Sequence, residues 1–135
     1  MQPDSEAGRD LTILGREMRT PVRALETFPA PPAVTWVTLE SDEVTSLCPV
    51  TGQPDFATVS IGYQPDGRCL ESKSLKLYLW SFRQEPIFGE GLAARIAEDV
   101  AAATAARRVE VTLRQAVRGG IAITARAEVG SPRQS

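Results

Sequence analysis

Histidine is absent from this chain of 135 residues, and cysteine appears only as Cys48 and Cys69. The first absence excludes a zinc centre built on imidazole, a Ser-His-Asp or Cys-His couple and a histidine general base. Two thiols also cannot make a four-cysteine zinc site, so no metal centre is expected. Lysine is nearly as scarce: 13 of the 15 basic residues are arginine, and the two lysines are Lys73 and Lys76. No apolar run approaches a membrane span, and no signal-peptide core opens the chain. With so few thiols, that points to reduced cysteines in the cytoplasm rather than a secreted disulfide scaffold. A formal net charge of −2 gives no global drive towards nucleic acid or an anionic membrane. No Gly-x-Gly-x-x-Gly follows a strand pattern, so a bound dinucleotide would not sit on a Rossmann unit.

What is present fits one globular domain, with 42% apolar and 24% charged residues. Residues 1–10 have the polar composition of a frayed terminus. Residues 11–33 carry Pro21, Pro29, Pro31 and Pro32, which fix an extended arm expected to wrap over a neighbour or the sheet. Residues 34–40 and 57–63 are rich in β-branched and aromatic types and read as strands, the second closed by Pro65-Asp66-Gly67. Between them lies a loop holding residues 48–56. Residues 71–84 lack glycine and proline and place Leu75, Leu79 and Phe82 on one stripe, predicting a helix ended by Pro86. Leu92, Ile96, Val100 and Ala103 predict a second helix, running to about Ala106. Residues 109–117 and 121–129 alternate with period two around Arg118-Gly119-Gly120 and read as a hairpin. The order β-β-α-α-β-β predicts an α+β unit with a four-stranded antiparallel sheet and both helices on one face. Such a unit leaves two sheet edges open and would gain by closing edge to edge with further copies.

Few residues are candidates for chemistry. Cys48 lies before Pro49 in a loop dense in glycine, proline and aspartate, where it is either an accessible nucleophile or a small buried hydrophobe. Asp55, seven residues on, is either the proton acceptor a thiol needs or an Asx-turn residue. Lys73 and Lys76, three apart, share a helix face, which suits a phosphate or reacting centre and equally a solvated surface. Glu71 and Glu90, each near a helix start, complement the helix dipole or accept N–H groups of a ligand. A purine-like heterocycle offers two neighbouring donors of the kind a carboxylate accepts in a bidentate fashion.

Taken together, Leu-Cys-Pro-Val-Thr-Gly-Gln-Pro-Asp-Phe at 47–56, Glu-Ser-Lys-Ser-Leu-Lys-Leu-Tyr-Leu-Trp-Ser-Phe-Arg at 71–83, Ile-Phe-Gly-Glu at 87–90 and Arg-Gly-Gly-Ile at 118–121 closely resemble the NADPH-dependent 7-cyano-7-deazaguanine reductases. These are the QueF nitrile reductases of queuosine biosynthesis, a tRNA modification, in their short single-domain form. The resemblance runs from Leu14 to Val129 and implies the tunnelling fold, or T-fold, whose rings of subunits stack face to face. It implies that Cys48 adds to the nitrile carbon to form a thioimide and that Asp55 manages the protons. It further implies that Lys73 and Lys76, with Tyr78 in the same motif, hold NADPH. Leu70, Glu71 and Ser72 would border the deazapurine substrate and Glu90 would read its ring. Two NADPH would be consumed per nitrile, giving 7-aminomethyl-7-deazaguanine.

One departure stands out. The family pattern Phe-His-Glu is here Phe88-Gly89-Glu90, which leaves no imidazole at the substrate-binding position of Gly89. That keeps two alternatives open: a T-fold amidinotransferase, in which ammonia attacks the thioimide, and a catalytically silent deazapurine-binding protein. The amidinotransferases lack the lysine-bearing motif, so Glu71-Ser72-Lys73-Ser74-Leu75-Lys76 favours reduction. The zinc-dependent cyclohydrolases of this fold are excluded by the histidine count.

Overall fold

Alternation of side chains decides how this chain layers. In the computed structural model, which describes residues 23–130, Val59, Ile61 and Tyr63 on one strand and Val109, Val111 and Leu113 on the next are buried, and the residues between them turn to the other face. The elements are β1 (Thr27–Pro29), β2 (Val37–Leu47), β3 (Pro54–Gln64), β4 (Arg68–Leu70), α1 (Ser72–Trp80), α2 (Gly89–Thr104), β5 (Arg108–Arg118) and β6 (Ile121–Gly130). Strands β2-β3-β5-β6 form one antiparallel sheet in that order, while β1 and β4 pair as a separate ribbon. The stripes of both helices, Leu75 and Leu79 of α1 and Leu92, Ile96 and Val100 of α2, join the inward residues of β3 and β5 in one core. The expected β-β-α-α-β-β unit is therefore present, with the β1–β4 ribbon added.

Within the arm, β1 pairs Phe28 with Cys69 of β4, and Glu71 N–H donates to Glu26 O at 2.8 Å. This part of the arm thus packs on its own chain. Residues 1–10 and the rest of the arm lie outside the described residues.

Two elements differ from expectation for physical reasons. Strand β2 runs to Leu47, beyond the expected 34–40, because its register shifts between Ser41 and Val44. The extra residue changes the phase of the alternation, from Val37 and Leu39 facing inward to Val44 and Ser46, which hides the strand from a period-two reading. The start of the expected strand is instead irregular, and the Trp36 indole packs against Gly62, where a β-carbon would come within 2.8 Å of it.

Helix α1 stops at Trp80 instead of Gln84. From there the bonds Phe82 N–H to Leu79 O and Arg83 N–H to Trp80 O tighten the chain into i to i−3 turns. Phe82 thereby enters the core edge-on to Tyr78, at 5.1 Å between ring centroids, with the Arg23 guanidinium 4.0 Å above its ring. Helix α2 begins three residues before Leu92 and ends with Ala105 in the left-handed region at φ 53°. The β5–β6 hairpin turns through Gly119 and Gly120, both at positive φ, as a two-residue turn of that hand requires.

Candidate active site

The loop between β2 and β3 is short enough to hold itself. Cys48 N–H donates to Gln53 O and Gly52 N–H to Cys48 O, both at 2.8 Å, and Gly52 takes φ 74° to close the turn. Thr51 Oγ1 accepts from Gln53 N–H at 3.2 Å. This wrapping surrounds the half-buried, free Cys48 with donors. The Thr51 hydroxyl, then the backbone of Thr51 and Val50, pull its thiol pKa below the ordinary value, against burial and the nearby charge of Asp55. The other thiol, Cys69, is buried in β4 and also free.

Asp55 is the second residue of β3, opposite Ser46 in register, and its parity with Ala57 and Val59 turns it to the helix side of the sheet. Its carboxylate pairs with Arg118. The Arg118 guanidinium also donates to Pro54 O at 3.0 Å and to the Gln53 side chain, so the β5–β6 hairpin clamps the cysteine loop. From the sequence Arg118 reads as a turn-flanking residue and as part of the Arg-Gly-Gly-Ile motif, with no contact assigned to it. Its role as a clamp carries no local signal, because its partners lie more than sixty positions away.

The chain leaving α1 returns to this loop. Leu47 N–H donates to Glu85 O at 2.9 Å and Ile87 N–H to Leu47 O at 3.1 Å, a parallel bridge that sets the start of α2 beside Cys48. An open cleft of about 630 Å³ results, lined by Pro49, Pro86, Ile87, Phe88, Glu90 and Gly91. Glu90 is exposed there in the first turn of α2, with no partner for its carboxylate among the described residues. Cys48, Asp55 and Glu90 therefore gather at one end of the sheet. Gly89, the first residue of α2, is buried beside them.

The other expected residues sit elsewhere on the protomer. Glu71 caps α1: Lys73 N–H donates to its Oε2 at 2.8 Å and Ser74 N–H to its Oε1 at 2.7 Å. Leu70 is in the core, its backbone N–H donating to the Tyr63 hydroxyl at 2.8 Å. Burial raises that Tyr63 hydroxyl to about 12. Ser72 and Lys76 line a cleft of about 930 Å³ along the β2 edge, with Asp42 and Glu43 at the bulge and Arg114 from β5. Lys76 also enters a neighbouring cleft of about 560 Å³ with Phe56 and Trp80. Neither shares a lining residue with the Pro49–Glu90 cleft.

Tyr78, grouped with the lysines by motif, faces the other way. It is 1% exposed, its hydroxyl donates to Asp99 Oδ2 at 2.6 Å, and burial followed by that carboxylate pushes its pKa far up. The physical reason is helix phase: position 78 falls with 75 and 79 on the buried stripe, while 73 and 76 fall outside it. Among the described residues no group of His, Cys, Asp or Glu could hold a metal ion, and no helix is long and apolar enough to cross a membrane.

Residues 54–134 match the family described as QueF-like protein. A protein of Syntrophus aciditrophicus named NADPH-dependent 7-cyano-7-deazaguanine reductase is 55% identical over 124 residues, 90% of this chain and 88% of its own length. One of the same name from Frankia casuarinae is 49% identical over 115 residues, covering 85% and 92%. Among solved structures, the archaeosine synthase QueF-Like in its apo form superposes with a TM-score of 0.69 at 30% identity. The match covers 75% of this chain and 99% of that one.

Proposed function

The chain belongs to the QueF-like protein family, and on that premise we propose that it is an NADPH-dependent reductase converting 7-cyano-7-deazaguanine to the aminomethyl compound. The observation that carries the reading is the Cys48 loop. A thiol drawn towards thiolate by Thr51 and two backbone groups stands in the loop that leads into β3, where the Asp55 carboxylate is held by Arg118. Cys48 Sγ adds to the nitrile carbon, a carbon–sulfur bond forms, and the thiol proton passes through Asp55 to the nitrile nitrogen, giving a thioimide. Glu90, unpartnered and exposed in the adjoining cleft, accepts the paired N–H groups of the guanine-like edge. A nitrile becomes an amine by gaining four electrons as two hydrides with two protons, and NADPH when bound supplies those hydrides. After the first reduction Cys48 leaves as thiolate, and the second reduction completes the amine.

In this reading two cations along the β2 edge would hold the cofactor's phosphates, in a cleft that Glu40, Asp42 and Glu43 also line. The exposed ammonium of Lys76 and the Arg114 guanidinium line a cleft of the size small ligands occupy, about 930 Å³. That cleft and the Pro49–Glu90 cleft are separate on one protomer. The separation supports a site completed between copies of the chain, with the lysines of one subunit brought to the thiol of another in a ring assembly. The reading carries no membrane and no nucleic-acid contact, and it places the enzyme in the cytoplasm, where its thiols stay reduced.

The direct test combines the nitrile, NADPH and protein, following NADPH absorbance and the intact mass of the same sample. Two NADPH oxidised per nitrile, with neither oxidation nor adduct in Cys48→Ala, is the expected result. An adduct mass that persists in Cys48→Ala would sink the nucleophile assignment. The likeness to the archaeosine synthase keeps the amidinotransferase alternative as a second reading, in which ammonia would attack the thioimide. Adduct formation without NADPH oxidation would select it.

A further inference from the structure

Position 89 holds glycine at the first residue of α2, and the space its side chain would need is already filled. A β-carbon built on Gly89 would lie 3.0 Å from Cδ, 3.1 Å from Nε2 and 3.3 Å from Oε1 of Gln115. Gln115 lies on β5 opposite Ala57. Val109, Val111 and Leu113 alternate inward on that strand, so Gln115 also points to the helix side, where Asp55 and the start of α2 are. Asp55 is two residues from Ala57 and so a diagonal neighbour of Gln115, at about 7–8 Å between backbones and within reach of so long a side chain. Just beyond Gln115 the β5–β6 register shifts before Arg118. Gln115 is half-buried, and its carboxamide has no hydrogen-bond partner among the described residues. A half-buried amide left unmatched costs stability unless something else binds it.

We propose that Gln115 is a substrate-contacting, specificity-determining residue, its carboxamide standing in the place a side chain at position 89 would take and hydrogen-bonding the substrate between Asp55 and Glu90. This rests on the nitrile-reductase reading. An amide offers a donor and an acceptor together and does not titrate, so it can serve a nitrogen that changes from acceptor to donor during reduction without itself exchanging a proton. The small residue at 89 and the long one at 115 then form one unit.

Two measurements test this. Gln115→Leu keeps the volume and removes the polar atoms. It should raise KM for 7-cyano-7-deazaguanine about tenfold, the size of one neutral hydrogen bond, and leave KM for NADPH near wild type and the melting temperature at or above it. Nitrile KM and calorimetric affinity within about twofold of wild type would overturn the proposal. Wild type in the same experiment separates the two readings. If it neither binds nor reduces the nitrile, the reductase reading falls and this inference with it. If it does both and Gln115→Leu does so equally well, only this inference falls. Independently of activity, Gly89→His should lower the melting temperature much less in a Gln115→Ala background than alone. Equal losses in the two backgrounds would mean that Gln115 does not fill that space.

Discussion

The reactivity of Cys48 is set by three neighbours. Donors from Thr51 and Val50 stabilise the thiolate, so the proton leaves at lower pH than from an ordinary thiol, whereas the charge of Asp55 works in the opposite sense. The rate of alkylation by iodoacetamide should therefore rise with pH through an inflection below that of a free cysteine. Thr51→Val removes the largest stabilising group and should move the inflection up. Arg118→Ala should move it up as well, because Asp55 would then present its charge to the sulfur without a cationic partner. An inflection unmoved in both variants would show that the loop does not activate the thiol. Cys48 and Asp55 could be singled out as candidates from the sequence because their residue types and their spacing are local. Arg118 as a clamp and Gln115 as the neighbour of Gly89 were not, since each meets residues that only strand pairing and packing bring near.

At the level of elements, α1 carries two faces with different duties. Its buried stripe includes Tyr78, so Tyr78→Phe should cost roughly 1 kcal/mol in urea unfolding through the lost bond to Asp99 and leave NADPH affinity unchanged. A large loss of NADPH affinity with stability intact would return Tyr78 to the cofactor site. Lys76, on the exposed face, predicts the reverse pattern for Lys76→Ala. Glu71 at the helix start holds two N–H groups, and Glu71→Ala should destabilise by about 1 kcal/mol as the loss of a cap does. Both helices were readable from their stripes. The bulged half of β2 was not, because an inserted residue breaks the only periodicity a strand offers.

The whole molecule presents the Pro49–Glu90 cleft beside the cysteine loop and the two clefts lined by Lys76 apart on one protomer. If two copies complete each site, co-expressed Cys48→Ala and Lys76→Ala chains should assemble mixed oligomers that regain NADPH oxidation neither variant shows alone. If one protomer supplies both groups, mixing restores nothing, since every protomer then lacks one of them. Native mass spectrometry of the same sample reports whether the oligomers formed. The open edges at β2 and β6 are the surfaces such an assembly would pair.

By itself the sequence determined the class of chemistry and the order of elements. The class of chemistry came through the motifs at 47–56, 71–83 and 87–90 that resemble the QueF reductases, while the missing histidines only removed alternatives. Stripes and alternations record which face of each segment avoids water. Only the tertiary structure decided which residues share a wall: that Arg118 holds Asp55, that Gln115 fills the space beside Gly89, and that Tyr78 belongs to the core. Those facts depend on strand register and helix phase, which arise from packing the whole chain at once and leave no mark on any short stretch of it.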